Sequence, residues 1–366
     1  MAILRTLTAA FAASLVLVAC DGLRTPGAGN GGTETPAEGD TSPPDETDPV
    51  SEPTEPETPT EPETDPVSDP VEPETPAVPD ISDLTEINAV NCKVFSTEGL
   101  TVAELMSADD PEPSLSVGTA QVNGRPVEAE EFPGLVKLEP AEDIGSAVGH
   151  GHCGTTRIGE TWFITAAHCL DQAYDRIELV VGSETLSQGR RIVASRSICH
   201  AAYGGAAQKY TNDIALIEIA PEVAETLTDI PIAPLMGTSK AFTPRNYPRA
   251  YVAGWGLTDF NAGTLSDVLL QTELKVESVG PSRIRVSSLD GAGPCIGDSG
   301  GPIYVEETDG TRRLVGVLSA VEGNAEGKFC QDSYYAQYTN IAGFTDWIEQ
   351  VQLVCDNRPE LCELQQ

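Results

Sequence analysis

Between residues 121 and 353, apolar positions gather in short runs rich in β-branched and aromatic residues. The runs are Arg176 to Val181, Ile192 to Ile198, Ile214 to Ile219, Ala250 to Trp255, Leu269 to Val279, Ile303 to Val305, Leu314 to Leu318 and Tyr334 to Ile341. Gly, Pro, Asn and Asp punctuate them, and many short strands at such spacing predict an all-β barrel or sandwich. The period changes near the end. Phe344, Trp347, Ile348 and Val351 fall at i, i+3, i+4 and i+7, one apolar stripe that predicts a helix.

Upstream this patterning disappears. Glu52 to Pro76 reads EPTEPETPTEPETDPVSDPVEPETP. With almost no large apolar side chain, nothing there offsets the conformational entropy lost on ordering. Frequent proline and like charges predict an extended tether, and residues 20–80 are read as a disordered Pro/Glu/Thr-rich stalk. Residues 81–120 are intermediate in composition; Val90 to Met106 contains Cys92 and enough apolar residues to pack locally. This segment is read as a pro-segment or adaptor. Residues 354–366 follow the β-rich region as a C-terminal extension.

Composition changes the picture in two ways. The formal net charge of the 366 residues is -36, from 57 acids against 21 bases. Phosphate binding needs clustered Lys and Arg, so nucleic acid is excluded as a main partner. Seventeen of the acids lie between Asp21 and Asp80, against the single base Arg24, so much of the charge belongs to the stalk. No interior apolar run approaches the roughly 20 residues needed to span a bilayer.

The first residues suggest export. Arg5 precedes an apolar stretch from Leu7 to Val18, followed by Ala19-Cys20. Leu17-Val18-Ala19-Cys20 resembles the lipobox of bacterial lipoproteins, which implies a signal peptide over 1–19, lipidation of Cys20 and anchoring to a membrane, on its periplasmic or cell-surface face. Of nine cysteines, eight would then remain for disulfides in an oxidising compartment.

Three segments carry candidate chemistry: Thr165-Ala166-Ala167-His168-Cys169, Asn212-Asp213-Ile214-Ala215-Leu216 and Cys295-Ile296-Gly297-Asp298-Ser299-Gly300-Gly301-Pro302. Hydrolysing an amide at neutral pH needs a nucleophile, a base and a group that orients the base. A serine, an imidazole and a carboxylate fit those needs, and glycines beside Ser299 suit a tight turn with N–H groups aimed at an oxyanion.

Together the segments resemble the chymotrypsin/trypsin family of serine endopeptidases, which shares their chain order His, Asp, Ser. Trp162-Phe163-Ile164, Ala253-Gly254-Trp255-Gly256, Gly316-Val317-Leu318-Ser319 and Tyr338-Thr339 ahead of Trp347 add to the likeness. The resemblance covers residues 121–353. It implies a double six-stranded antiparallel β-barrel with a C-terminal helix, and a protein or peptide substrate without cofactor. It also implies the roles: Ser299 as nucleophile, His168 as base, Asp213 as its orienter, and the N–H groups of Gly297 and Ser299 as the oxyanion hole. Disulfides Cys153–Cys169 and Cys295–Cys330 follow by the same likeness. Cys92, Cys199, Cys355 and Cys362 leave three pairings open, of which Cys355–Cys362 with Cys92–Cys199 is preferred. The run His150-Gly151-His152-Cys153 is not read as a metal site, because Cys153 is expected in a disulfide; His200 is read as structural.

The sequence departs from the family in two places. Members are made as zymogens whose freed apolar N-terminus pairs with the acid beside the serine, here Asp298. The corresponding terminus is Gln121, which lacks the aliphatic side chain, and it follows Ala120 rather than Lys or Arg. Cleavage after Ala120, ordering without cleavage, and a latent surface-binding module are therefore all open. The pocket base aligns with Gly293 and its walls with Val321 and Ala336, while Ser319 falls on the strand that lines the substrate backbone. A neutral pocket narrowed by Val321 predicts preference for small or medium apolar residues before the scissile bond, since an uncompensated cation would be costly to bury there.

Overall fold

The structure, a computed structural model, describes residues 87–92 and 124–362, apart from 145–146, 173, 238–241, 260–263, 323–329 and 331–334. The signal peptide with Cys20, the stalk and Gln121 lie outside the described residues. Among those described, no helix is long and apolar enough to cross a membrane.

Ten strands precede residue 220: β1 (Ala89–Asn91), β2 (Arg125–Pro126), β3 (Leu135–Ile144), β4 (Ala147–His150), β5 (Cys153–Arg157), β6 (Trp162–Thr165), β7 (Arg176–Val181), β8 (Arg190–Val193), β9 (Arg196–His200) and β10 (Ala215–Glu218). All except β2 form one antiparallel sheet in the order β1-β9-β10-β6-β5-β3-β7-β8, with β4 on β3. Eight strands follow: β11 (Arg249–Gly254), β12 (Leu257–Asp259), β13 (Thr264–Leu265), β14 (Leu270–Val279), β15 (Arg283–Ser288), β16 (Pro302–Glu306), β17 (Arg312–Glu322) and β18 (Tyr335–Asn340). Here the order β11-β16-β17-β18-β15-β14 is closed by pairing of β14 with β11, a six-stranded barrel with β2 added to β14. The all-β architecture is the one expected.

The run Ile192 to Ile198, expected as one strand, is two. Ala194 N–H donates to Ile177 O at 2.9 Å, and Ser195 N–H donates to Glu218 O at 2.7 Å. The chain thus leaves β7 and joins β10 at this corner, and the corner links the two ends of the first sheet. Strand β3 escaped the pattern altogether. Its sequence LVKLEPAEDI alternates apolar residues with Lys137, Glu139 and Pro140 and looks solvent-facing, yet Lys137 is 1% exposed and Glu139 is buried beside it.

The C-terminal helix, Thr345–Asn357, buries Trp347, Ile348, Val351, Val354 and Cys355. Each such side chain, fully buried, contributes about 1.5–3 kcal/mol. Trp162 Nε1–H donates to Asp356 Oδ1 at 3.1 Å, tying the helix to β6. The helix continues past residue 353, and Cys355 closes a disulfide with Cys362, which is also buried. Strand β1 pairs with β9 and is bonded to it through Cys92–Cys199. Residues 81–120 thereby contribute a strand to the sheet and Ile87 and Ala89 to the core. Cys153–Cys169 and Cys295–Cys330 complete four disulfides, so the preferred pairing is the one formed.

Candidate active site

Strand register brings the first two candidate residues together. Strand β6 pairs antiparallel with β10, with Thr165 opposite Ala215. His168 lies three residues after Thr165, in the turn Ala167–Cys169, and Asp213 lies two before Ala215. Both chain ends therefore leave the sheet at the same edge. Asn212 has a left-handed φ of 51°, which turns the backbone as it enters β10. His168 N–H donates to Asp213 Oδ1 at 2.9 Å, and its Nδ1 meets Oδ2 at 2.8 Å. Two contacts fix the ring's position and the tautomer with hydrogen on Nδ1. Asp213 is 0% exposed. Burial opposes charge on the His168 ring, but the Asp213 charge and hydrogen bond, with Asp171, outweigh it and raise the imidazole pKa above its ordinary value.

The second barrel grips the same aspartate. Ser319 Oγ–H donates to Asp213 Oδ2 at 2.6 Å, and Thr339 Oγ1–H donates to Asp213 O at 2.7 Å. Ser319 was expected on the strand that lines the substrate backbone; its bond to Asp213 had no sequence signal. Tyr210 adds a ring 5.5 Å from that of His168.

The Ser299 loop is locked between the two bodies. Gly154 N–H donates to Ser299 O at 2.6 Å, Gly300 N–H to Leu318 O at 2.8 Å, and Leu318 N–H to Gly301 O at 2.8 Å. A Cβ on Gly154 would stand 2.7 Å from Gly301 Cα. Gly300 has φ +72°, and a Cβ there would collide with Thr165 Oγ1 and come within 3.1 Å of Ala166 N, two residues before His168. Ser299, half-buried, is held by its neighbours against the segment that carries the histidine. Gly297 has φ +95° and a Cβ there would meet Leu265 Cδ2 at 2.8 Å, so this expected oxyanion residue is confined to glycine.

The Asp298 carboxylate is held by two backbone amides. Its Oδ1 accepts from Gly256 N–H at 2.7 Å and its Oδ2 from Cys295 N–H at 2.9 Å. A Cβ on either Gly254 or Gly256 would collide with the carboxylate, which explains the glycines of Ala253-Gly254-Trp255-Gly256. Burial pushes the Asp298 pKa up to about 6 against these hydrogen bonds and the nearby Lys137 charge. Its expected partner Gln121 is outside the described residues.

Of the expected pocket residues, Val321 and Ala336 are cross-strand partners on β17 and β18. Val321 also packs beside Cys295 and Cys330. Gly293 is buried in the segment leading into Cys295. His152 Nδ1 lies 3.5 Å from Glu139 Oε1. The Cys153–Cys169 disulfide occupies both sulfurs near His168. His200 packs against Phe344 and Trp347, with ring centroids 5.5 and 5.4 Å away.

A doubly held His–Asp pair, facing a glycine-locked serine loop between two antiparallel β bodies, defines a class: the chymotrypsin-like hydrolases. The family model for trypsin matches residues 121–348. Coagulation factor IX of Oryctolagus cuniculus is 30% identical over 275 residues, covering 68% of this chain and 92% of that protein. Granzyme M of Homo sapiens is 32% identical over 253 residues, covering 64% and 90%. The solved structure of HL collagenase superimposes with a TM-score of 0.51 at 27% identity, covering 63% of this chain and 98% of the other. The chain belongs to the trypsin family.

Proposed function

We propose that the domain is a serine endopeptidase that works through an acyl-enzyme. Ser299 Oγ attacks the scissile carbonyl as His168 Nε2 takes its proton; the C–N bond then breaks and the proton passes to the leaving amine. Water, deprotonated by the same nitrogen, releases the acyl group and restores Ser299. Asp213 stabilises the imidazolium, and the amides of Gly297 and Ser299 receive the negative charge on the carbonyl oxygen. The observation that carries this reading is the two-point attachment of His168 to the buried Asp213, with the Ser299 loop pinned through Gly154 and Gly300.

Gly293 at the pocket base puts no carboxylate there, and Val321 opposite Ala336 narrows the wall. Small or medium apolar side chains before the scissile bond suit that chemistry. We further propose export and lipid anchoring through Cys20, in keeping with four disulfides.

A fluorophosphonate probe tests the catalytic reading. Labelling that disappears in Ser299→Ala supports it; a folded protein that takes no label either intact or after cleavage at Ala120 defeats it. Peptides differing only in Ala, Val, Phe or Arg before the cleaved bond test specificity, and preference for Arg would refute the pocket assignment. Incorporation of labelled palmitate that persists in Cys20→Ala would refute the anchor.

A further inference from the structure

Lys137 is a buried cation that the mechanism above leaves unused. It lies mid-strand in β3, 1% exposed, and its Nζ donates to Gly297 O at 3.0 Å. An ammonium taken out of water is costly unless charge and hydrogen bonds compensate it. The compensation comes from two sides. Glu139, two residues along the strand, shares its face, and Asp298 lies in the very loop whose carbonyl Lys137 holds; both carboxylates favour the charged ammonium, while burial lowers its pKa.

An alternating row of charges delivers Lys137 to this point. Asp143 pairs with Arg176 at 2.7 Å, Arg176 with Glu178, Glu178 with Arg191 at 3.2 Å, and Arg191 with Glu139 at 2.5 Å. Glu139 and Glu178 are cross-strand partners, and Arg191 spans both from β8. His152 closes the other side, with Nδ1 3.5 Å from Glu139 Oε1 and its Cβ 3.7 Å from where a Gly297 Cβ would stand. The row starts near the surface, where Asp143 is exposed, and ends on the carbonyl of the residue whose amide is proposed to bind the oxyanion.

The geometry assigns Lys137 as the positioning residue of the oxyanion segment: its hydrogen bond to Gly297 O and its charge beside Asp298 hold Cys295–Ser299 in register with the first β body. The inference rests on the proposed function above. A carbonyl fixed at Gly297 fixes the plane of the following peptide, whose N–H, that of Asp298, donates to Cys295 O at 3.1 Å. The preceding peptide, which carries the Gly297 N–H, is held at its own carbonyl, where Ile296 O accepts from Leu257 N–H at 2.7 Å; together with the Lys137 bond this fixes the peptides on both sides of Gly297. Every contact in this arrangement belongs to residues 137–299, so it needs no new terminus at Gln121.

The test uses the full-length protein, with the chain shown intact on a reducing gel. Fluorophosphonate labelling of Ser299 and peptide kinetics are compared among wild type, Lys137→Met and Lys137→Arg. Lys137→Met should lower the labelling rate and kcat about 10²-fold, the scale of losing one oxyanion donor, with KM within threefold and the unfolding midpoint retained. Lys137→Arg, which keeps the charge, should recover at least a tenth of wild-type labelling. Wild-type rates in Lys137→Met would overturn the assignment while leaving the peptidase reading intact, as would a loss that merely follows loss of folded protein. An intact wild-type chain that takes no label, but labels once cut after Ala120, would overturn this inference and leave the peptidase reading standing; no label in either form would defeat both.

Discussion

Ser319 and His168 share one oxygen of Asp213: the serine hydroxyl donates to Oδ2 at 2.6 Å, and the imidazole Nδ1 meets the same atom at 2.8 Å. Ser319 sits on β17 in the second barrel, whereas Asp213 precedes β10 in the first sheet, so the bond sets the carboxylate's angle across the interface. Ser319→Ala should leave the Asp213 carboxylate less tightly aimed. A kcat loss of about 10–150-fold is expected, the equivalent of about 1.5–3 kcal/mol for one hydrogen bond to a charged group, with the fold unchanged. Steady-state kinetics beside a thermal melt would check it.

Asp213→Asn should be far more damaging. An amide presents N–H or C=O where the carboxylate now accepts from His168 N–H, His168 Nδ1–H and Ser319 Oγ–H at once. The tautomer with hydrogen on Nε2 then competes, and kcat should fall about 10⁴-fold, the scale of this change in a Ser-His-Asp triad. Binding of a substrate-like aldehyde should survive better than turnover.

Much of this site was legible in the sequence, and the exceptions have physical causes. His168, Asp213 and Ser299 sit in dense local motifs, because each needs particular neighbours within a turn. Strands β14 and β15 alternate with period 2, because one face of each is in the core, whereas β16 and β17 are buried along most of their length. Strand β3 was not legible: Lys137 and Glu139 are buried by pairing with each other and with Asp298, Arg191 and His152, and a lysine between apolar residues normally reads as solvated. Gly154 gave no signal because its reason, the approach of Gly301, lies 147 positions away in the chain. The Ser319–Asp213 bond is equally non-local.

Activity should depend on pH through His168. The base must be neutral to accept the serine proton, and its pKa is raised. The rate should therefore climb with pH through a midpoint above 6.5, the ordinary histidine value. Removing the charge at position 213 should move that midpoint down. Profiles of kcat/KM for wild type and Asp213→Asn would show the shift, and an unshifted midpoint would contradict the Asp213 attribution.

Stability should carry two opposite acid dependences. Asp298 is raised from 3.8 to about 6, so the native state binds its proton more tightly than the unfolded chain. Its contribution is complete below pH 3.8 and is lost as pH rises to about 6, worth about 3 kcal/mol at 1.36 kcal/mol per unit. Glu139 is lowered from 4.5 to about 2, with burial opposing and His152, Arg191 and Lys137 prevailing. Its contribution is complete above pH 4.5 and is lost as pH falls towards 2. Urea unfolding across pH 2–7 should show Asp298→Asn abolishing the first slope and Glu139→Gln the second, whatever constant offset each substitution adds.

Gly154→Ala probes how closely the two β bodies must approach. The added methyl would stand 2.7 Å from Gly301 Cα and 3.0 Å from Gly301 N, both backbone atoms that cannot swing aside. Relief requires the Ser299 loop to back away from β5, at the expense of the Gly154–Ser299 hydrogen bond. Overpacking of this kind costs about 1–3 kcal/mol. The expected result is a folded protein of lower melting temperature whose fluorophosphonate labelling falls at least tenfold.

The disulfide Cys92–Cys199 makes a prediction about cleavage. Strand β1 lies along β9, Ala201 N–H donates to Asn88 O at 2.5 Å, and Trp347 Nε1–H donates to the same carbonyl at 3.3 Å. A single cut between residues 93 and 123, made by an added protease, would leave everything before the cut covalently joined to the β bodies. Any anchor at Cys20 would thus retain the catalytic domain after such a cut. A non-reducing gel should show one species of undiminished mass, and reduction should separate two fragments. Replacing Cys92 and Cys199 together with serine should release the N-terminal fragment on mild denaturation and lower stability by about 2–4 kcal/mol. Release from the wild-type protein without reductant would show that the pair is not bonded.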